Sequence, residues 1–532
     1  MKTKTTSAQI AGMLRDRFTR LDWAGWVASP GSRCAPLVLA FRELEAPNQV
    51  LLDERSAAHW ALGAAIATGK PAFAVCTSGT AALNFAPAVA EAFYQQVALL
   101  VVTADRPAAL IDNGQGQSIR QERIFDDHLV GKGLLNLEQT LEWNAAVVDQ
   151  ALASLRFGPV HLNVPMAEPL YDLIPAAESG SAESVLPAAH SSLWPSLELP
   201  AWLVSARRPL LVLGQWSPFW GDSLPLIREL ARKGWMIAAE PLSQLPSDAT
   251  EQLEDTLELG LPDLDAVVSI GGAWVAKNAK AKLKGCRHWV IGPRDPLPDL
   301  FGSVLSRSYA HPYDALKLLA AEAPDLGSSW APRRRPAPAS EGWQDMAVHR
   351  AIAQKISSGW DLHWGNSTPI RYANFLWGQD LFAPGIRHFG NRGVSGIDGI
   401  TSTALGAMWA SQRPTILVTG ELSFLYDGGA GLAFDALPAL KVVVVNNQGG
   451  QIFQWIEGPR ASGLLDRNFG FRHRRSVSAS AENQGFSYRS AGNRVELEAA
   501  WPLFMSDSGP AVLELFTDPD ASEKAWKGRF GA

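Results

Sequence analysis

The chain has 532 residues, 47% of them hydrophobic and 19% charged, with a formal net charge of −6. That length is too great for one ordinary core, so about two to four domains are expected. The acid excess excludes bulk nucleic-acid binding but leaves room for small basic pockets.

The first residues, "MKTKTTSAQIAGMLRDRF" (1–18), lack the apolar stretch of a signal peptide. No run reaches the roughly 18 apolar residues of a membrane span. Cys34, Cys76 and Cys286 form neither a zinc pattern nor a disulfide framework, which fits a reducing compartment. A cytoplasmic protein with no membrane or nucleic-acid partner is expected. The 20 tryptophans read as packing anchors.

In chain order, helix-like "SAQIAGMLRDRF" (7–18) comes first, then strand-like "QVLL" (49–52) and the strand "AFAVCTSG" (72–79). Helical "TAALNFAPAVAEAFY" (80–94) leads to the strand "ALLVVTADRP" (98–107). Further short apolar runs are "PLLVLGQW" (209–216), "AVVSIGGAW" (266–274), "HWVIGP" (288–293), "TILVTGE" (415–421) and "KVVVVNNQGG" (441–450). Runs that are apolar on both faces and alternate with helices predict parallel sheets covered on both sides. That is the doubly wound α/β class.

Two polar, Pro-rich stretches, 176–200 and 323–343, read as linkers. They divide the chain into 1–175, 200–323 and 343–532, each near ordinary domain size. "RRRPAP" (333–338) reads as part of the second linker. The outer pieces share a rhythm: "CTSGT" and "VVTAD" end neighbouring strands in the first, "VTGELS" and "VVVNN" in the third. An old duplication and the general form of a doubly wound sheet both account for it.

Ligands of open parallel sheets sit beyond the carboxyl ends of the strands. Glu421 follows one such end and Asn447 the next, with room for a helix and a strand between them. A magnesium ion takes about six oxygens and readily shares them with phosphates. Glu421, Asn447 and a backbone carbonyl near Gly449 can supply three. Gly420, Gly449 and Gly450 let backbone approach phosphate closely. The same residues also serve as a strand-end turn, with Asn as the turn former. Glu54, in "VLLDERSAAHWALG" (50–63), stands after a strand and before a helix. It reads either as a functional acid or as a helix-start acid favoured by the dipole.

The spacing from Gly420-Glu421-Leu422 to Asn447 resembles the thiamine-diphosphate motif, in which the family pattern has Asp where this chain has Glu421. The departure leaves Mg²⁺ or Mn²⁺ open as the metal. In such enzymes a Glu on another domain holds a proton at the cofactor's aminopyrimidine, and Glu54 matches it. The stretches "SPGSRCAPL" (29–37), "DERSAAHWALG" (53–63), "TSGTAALN" (77–84), "LLVVTADRP" (99–107) and "IDNGQGQSIRQ" (111–121) narrow the resemblance, as do "GNSTPIR" (365–371), "NRGVSGIDGITSTALG" (391–406), "GELSFLYD" (420–427) and "NNQGGQIF" (446–453). The chain is similar to the 2-succinyl-5-enolpyruvyl-6-hydroxy-3-cyclohexene-1-carboxylate synthase (MenD) family over nearly its whole length, most weakly in the middle.

The resemblance implies three doubly wound domains: 1–175 for the pyrimidine, 200–323 in the centre and 343–532 for diphosphate and metal. It implies decarboxylation of 2-oxoglutarate and a Stetter-like 1,4-addition of the four-carbon carbanion to isochorismate, towards menaquinone or phylloquinone. Another thiamine-diphosphate 2-oxo-acid decarboxylase or synthase, or a non-catalytic binding homologue, is the alternative. By the same resemblance Glu54 and Gln117 are catalytic. Thr77, Ser78, Gly79, Asn391, Gly393, Ile397, Gly420, Leu422, Ser423, Asn447, Gly450, Gln451 and Ile452 meet the cofactor, Ile397 holding it bent, and Glu421, Asn447 and Gly449 hold the metal.

Both substrates are dicarboxylates, which suits Arg forks. Arg33, Arg106, Arg371 and Arg392 supply them, with Ser32, Gln117 and Ser367 as hydrogen-bonding partners. Ile452, Phe453 and Ile456 line the second substrate. Lys277 is a further substrate contact, next to Asn278 where some members carry Arg. The implied assembly is a homodimer or homotetramer with its sites at the subunit interface.

Overall fold

The computed structural model describes residues 4–172, 197–254, 264–293, 297, 299–327, 342–379 and 381–529. The linker run 333–338 lies outside the described residues. Three six-stranded sheets follow one another along the chain.

The first holds β1 (Gly25–Ala28), β2 (Asn48–Val50), β3 (Ala72–Cys76), β4 (Leu99–Asp105), β5 (Gly131–Leu134) and β6 (Val160–Pro165). The middle sheet holds β7 (Pro209–Leu213), β8 (Met236–Ala239), β9 (Glu251–Gln252), β10 (Ala266–Ile270), β11 (His288–Gly292) and β12 (Val304–Tyr309). The third holds β13 (Asp361–Trp364), β14 (Arg387–Gly390), β15 (Thr415–Gly420), β16 (Lys441–Asn446), β17 (Ser487–Ala491) and β18 (Ala511–Phe516). All pairings are parallel, and β3, β4, β7, β10, β11 and β16 are buried along their length, as expected when helices cover both faces.

The order is β2-β1-β3-β4-β6-β5 in the first sheet and β14-β13-β15-β16-β18-β17 in the third, which is the same order. The middle sheet differs, running β12-β11-β10-β7-β8-β9. In each sheet the order reverses at an internal point, where a crevice opens beyond the strand ends.

Two local expectations need correction. The stretch 80–94 is not one helix but two, Thr80–Leu83 and Ala86–Gln95. Pro87 lacks an N–H and starts the second helix within its first turn. The strand at 49–52 ends at Val50, and Leu51 instead bridges Ala433 of the third domain in antiparallel fashion.

The helices Glu54–Thr68 and Ile400–Ser411 cross in near backbone contact, joining the outer domains. A Cβ on Gly63 would stand 1.9 Å from the Thr403 carbonyl oxygen, and one on Gly406 1.9 Å from that of Trp60. Only glycine permits this approach. One apolar core therefore runs from Val101 and Phe85 through Trp60 to Leu405 and Val444. Trp26, Trp60, Trp235, Trp289 and Trp364 are fully buried packing anchors. Among the described residues no helix is long and apolar enough to cross a membrane.

Candidate active site

The loops beyond β13, β15 and β16 enclose a cavity of about 330 Å³. Its lining includes Ser367, Arg371, Arg392, Ile397, Gly420, Glu421, Leu422, Ser423, Asn447, Gly449, Gly450, Gln451, Ile452 and Phe453. The acid and the Asn predicted to converge from two strand ends thus face one space.

Gly420 ends β15 and Glu421 opens the helix Glu421–Tyr426. Glu421 is 1% exposed. Burial pushes its carboxyl above the ordinary range, opposed by His473 and the Gly449 N–H. Gly449 N–H donates to Glu421 Oε1 at 2.6 Å, and His473 Nε2 lies 3.3 Å from the same oxygen, too poorly aligned for a hydrogen bond. The Arg475 N–H donates to His473 Nδ1 at 3.0 Å, so a neutral ring carries its proton on Nε2.

Asn447 follows the end of β16, and its Nδ2 donates to Asp345 Oδ2 at 2.7 Å. Thr517 Oγ1 holds the other Asp345 oxygen at 2.5 Å. That network turns the Asn447 amide oxygen away from Asp345 and leaves it free to ligate. A Cβ on Gly420 would meet nothing within 4 Å. Gly449 takes φ +145°, and a Cβ there would stand 2.6 Å from the Gly470 carbonyl oxygen. Carboxylate, amide and carbonyl oxygens are the donors of a hard divalent cation, so the residues fit a metal that carries a diphosphate. Among the described residues no three His, Cys, Asp or Glu side chains gather, so the donor set relies on Asn and backbone.

Ile397 is 38% exposed and borders the cavity, which excludes plain core packing as its role. Its carbonyl accepts Ser423 Oγ–H at 2.7 Å. Asn391 Nδ2 donates to Thr403 Oγ1 at 3.0 Å, and Asn366 Nδ2 ties the Asn391 and Gly396 carbonyls at 2.6 Å each. Gly393 N–H donates to Glu91, so its backbone is already engaged.

Two arginines serve the cavity. Burial and the neighbouring Arg392 charge lower the Arg371 pKa to about 10, and its guanidinium donates to the Ser367 carbonyl. Arg392 is 8% exposed, donates weakly to Asn366 Oδ1 at 3.3 Å and has an unpartnered Nε. The half-buried Arg371 and the buried Arg392 guanidiniums, with spare donors, can form an anion site. A second cavity of about 640 Å³ shares Arg371 and Ile452 with the first and adds Ile456, Trp455, Asn374 and Glu254. Phe453 borders the first cavity and Ile456 the second.

The remaining predicted residues lie at the strand ends of the first sheet. Glu54 opens the helix Glu54–Thr68, half-buried, and Asp53 caps it through the Ser56 N–H at 3.1 Å. Burial is the largest cause that pushes the Cys34 thiol up to about 11 and the Cys76 thiol well above its ordinary value, and the Glu54 charge adds to both. Thr77, Ser78 and Gly79 follow β3, and Ser78 Oγ–H donates to the Gln117 carbonyl at 2.8 Å. Gln117 itself is exposed, at φ +53°, as is Ser32.

Arg33 is buried against the Met166 carbonyl at 2.9 Å and Glu168 at 3.3 Å. Arg106 folds onto the Gly116 carbonyl at 2.7 Å and borders a separate cavity of about 730 Å³ with Glu122 and Glu168. Within one chain the four arginines therefore form two groups, Arg371 with Arg392 and, apart from them, Arg33 and Arg106. Lys277 begins the helix Lys277–Lys282, and its side chain, like that of Asn278, lies outside the described residues.

Sequence reasoning missed Asp345, Thr517, His473, Glu91 and Glu240. The first three act from distant segments and leave no local mark. Glu240, an acid directly after β8, repeats the strand-end pattern of Glu421 and was legible on that ground.

Residues 10–125 match the family described as thiamine pyrophosphate enzyme, N-terminal TPP binding domain. Curated relatives are similar over almost the whole chain. A 2-succinyl-5-enolpyruvyl-6-hydroxy-3-cyclohexene-1-carboxylate synthase from Porphyromonas gingivalis is 34% identical, covering 94% of this chain and 93% of its own. Synthases of the same name from Desulfotalea psychrophila (34%; 93% and 95%) and Flavobacterium johnsoniae (33%; 92% and 93%) match comparably.

Proposed function

The chain belongs to the 2-succinyl-5-enolpyruvyl-6-hydroxy-3-cyclohexene-1-carboxylate synthase family, a family of thiamine-diphosphate-dependent transferases, and from that premise we propose how its residues perform the reaction. The enzyme decarboxylates 2-oxoglutarate and adds the remaining succinyl-semialdehyde unit to isochorismate, an early step of menaquinone biosynthesis or, in phototrophs, phylloquinone biosynthesis. The observation that carries this reading is the cavity in which Glu421 and Asn447 face Arg371 and Arg392. A metal–diphosphate anchor and a site for carboxylates share one space there.

Glu421, the Asn447 amide oxygen and the Gly449 carbonyl hold the divalent metal, Mg²⁺ or Mn²⁺. Thiamine diphosphate, when bound, supplies the electron sink for decarboxylation and carbon–carbon bond formation. Glu54 would hold a proton at the aminopyrimidine ring. Ile397 would pack against the bound cofactor, and Ser423 and Asn366 fix the loop that carries it. Arg371 and Arg392 bind carboxylates with their free donors, and Ile452, Phe453 and Ile456 offer apolar surface to the ring of the second substrate.

Glu54, Thr77–Gly79, Gln117, Ser32 and Arg33 border no part of the 330 Å³ cavity of their own chain. That separation supports a homodimer, or a dimer of dimers, in which these residues of one subunit face the cavity of the other. The test is an assay with 2-oxoglutarate and isochorismate, read by CO₂ release and product mass. Turnover of both is expected, and a preference for pyruvate over 2-oxoglutarate contradicts the reading.

A further inference from the structure

Arg392 poses a physical problem. It is buried, and among the described residues no carboxylate lies within ion-pair distance of it. An unpaired buried charge is costly. Burial weighs against its charge, and Glu240 and Glu91, in that order, oppose this from a distance. These two acids come from the other two domains.

Glu91 lies in the helix Ala86–Gln95 and is 3% exposed. Its two oxygens accept the N–H groups of Gly393 at 2.6 Å and Val394 at 2.7 Å, directly after Arg392. One turn on, Gln95 Nε2 donates to the Gly390 carbonyl at 3.1 Å, and Gln215 of the middle domain donates to the same carbonyl at 3.0 Å and to Gln95 Oε1 at 2.8 Å. Gln244 holds the His388 carbonyl. The end of β14 is thus gripped from both sides.

Glu240, 2% exposed, accepts the N–H groups of Val275 at 2.5 Å and Ala276 at 2.6 Å. Both carboxylates are therefore satisfied by backbone donors. Their charge still acts on Arg392, but neither occupies its fork. A direct salt bridge would stabilise the guanidinium and block it. This arrangement stabilises it and leaves its donors open to the cavity.

We propose that Glu91 is a positioning residue for an anionic substrate, holding the Gly393 and Val394 backbone directly after Arg392 from the first domain, with the guanidinium fork free for a substrate carboxylate. Glu91 does not touch the substrate. The inference rests on the proposed function, because it needs Arg392 to bind a substrate.

The test compares wild type with E91Q as full-length, cofactor-loaded enzymes. Read out are KM for 2-oxoglutarate and for isochorismate, kcat, thiamine-diphosphate affinity and the thermal midpoint. The expected result is a rise of about tenfold in KM for at least one substrate, as for one weakened charge-assisted hydrogen bond. At saturation kcat stays within about threefold, the pattern of lost uniform binding. E91D, which keeps the charge, recovers most of the change. Should E91Q not fold, Gln95→Ala, which removes the neighbouring tie to Gly390, gives a smaller KM rise of about threefold. Unchanged KM for both substrates overturns the inference, as does a fall in kcat and cofactor affinity that simply tracks the thermal midpoint. A wild type inactive on both substrates overturns the functional reading itself, and the inference with it.

Discussion

The first and third sheets have the same strand order, yet their strand ends carry opposite kinds of site. Beyond β15 and β16 lies a buried cradle, with Glu421 1% exposed, its oxygen held by Gly449, and two guanidiniums turned inward. In the first sheet Ser32 after β1 and Gln117 after β4 are exposed and Glu54 after β2 is half-buried, while Thr77 and Ser78, directly after β3, are buried. The shared topology supplies a crevice in both places. What fills it is decided by a few residues after each strand. By the proposed function, the third sheet anchors a charged group, and the first presents an acid to something brought from outside its own fold.

The comparison is broken most sharply at Glu54. E54Q is expected to lower kcat by about 10²–10⁴-fold, the usual worth of a positioned proton donor or acceptor, with cofactor affinity nearly unchanged by calorimetry. Loss of cofactor binding in E54Q would show that both sheets anchor. At the third sheet, E421A is expected to weaken metal affinity by about 100-fold or more, measured with Mn²⁺ by electron paramagnetic resonance. E421D is the finer probe. It shortens the side chain away from the Gly449 N–H and His473, and a loss of about tenfold is expected. Equal affinity would show that the extra methylene has no role.

The joint between the two sheets comes next. Gly63→Ala drives a methyl into the Thr403 carbonyl, and destabilisation by about 1–3 kcal/mol or more is expected in thermal or denaturant unfolding.

The smallest effect belongs to Glu240. Burial raises its pKa to about 7 from a usual value near 4.5. A carboxyl whose folded value is raised binds its proton more tightly when folded, so its contribution is full below pH 4.5 and is lost as pH rises through 7. Wild type is therefore expected to lose stability relative to E240Q between pH 5 and 8, by an amount on the order of 1–3 kcal/mol. A pH-independent difference would show that the carboxyl is not protonated in that window.

The parts of this comparison that were legible in the sequence are those written in contiguous runs. Uniformly apolar stretches such as 441–446 marked strands, and polar residues directly after them marked site positions, because a parallel strand exposes its carboxyl end and little else. The pairing of Glu421 with Asn447 was readable from spacing. The split of 80–94 was signalled by Pro87 and still misread, since the apolar period continues across it. What sequence could not show is contact between distant segments. Asp345 and Thr517 orient Asn447 from 102 and 70 positions away in the chain, counted from their numbers. Glu91 grips Gly393 across 302 positions. The closeness of Gly63 to Thr403 is likewise a property of helix packing, and nothing near either residue announces it.

The central claim is that the acid of the first sheet and the cradle of the third work together across subunits. Mixing E54Q with E421A under conditions of demonstrated subunit exchange tests it directly. At a metal concentration that loads wild type but not E421A, each variant alone has little activity by this account. In randomly exchanged two-fold dimers about half are hybrids with one intact site of two, so activity should return to about a quarter of wild type. No recovery, with exchange demonstrated, would contradict the shared site.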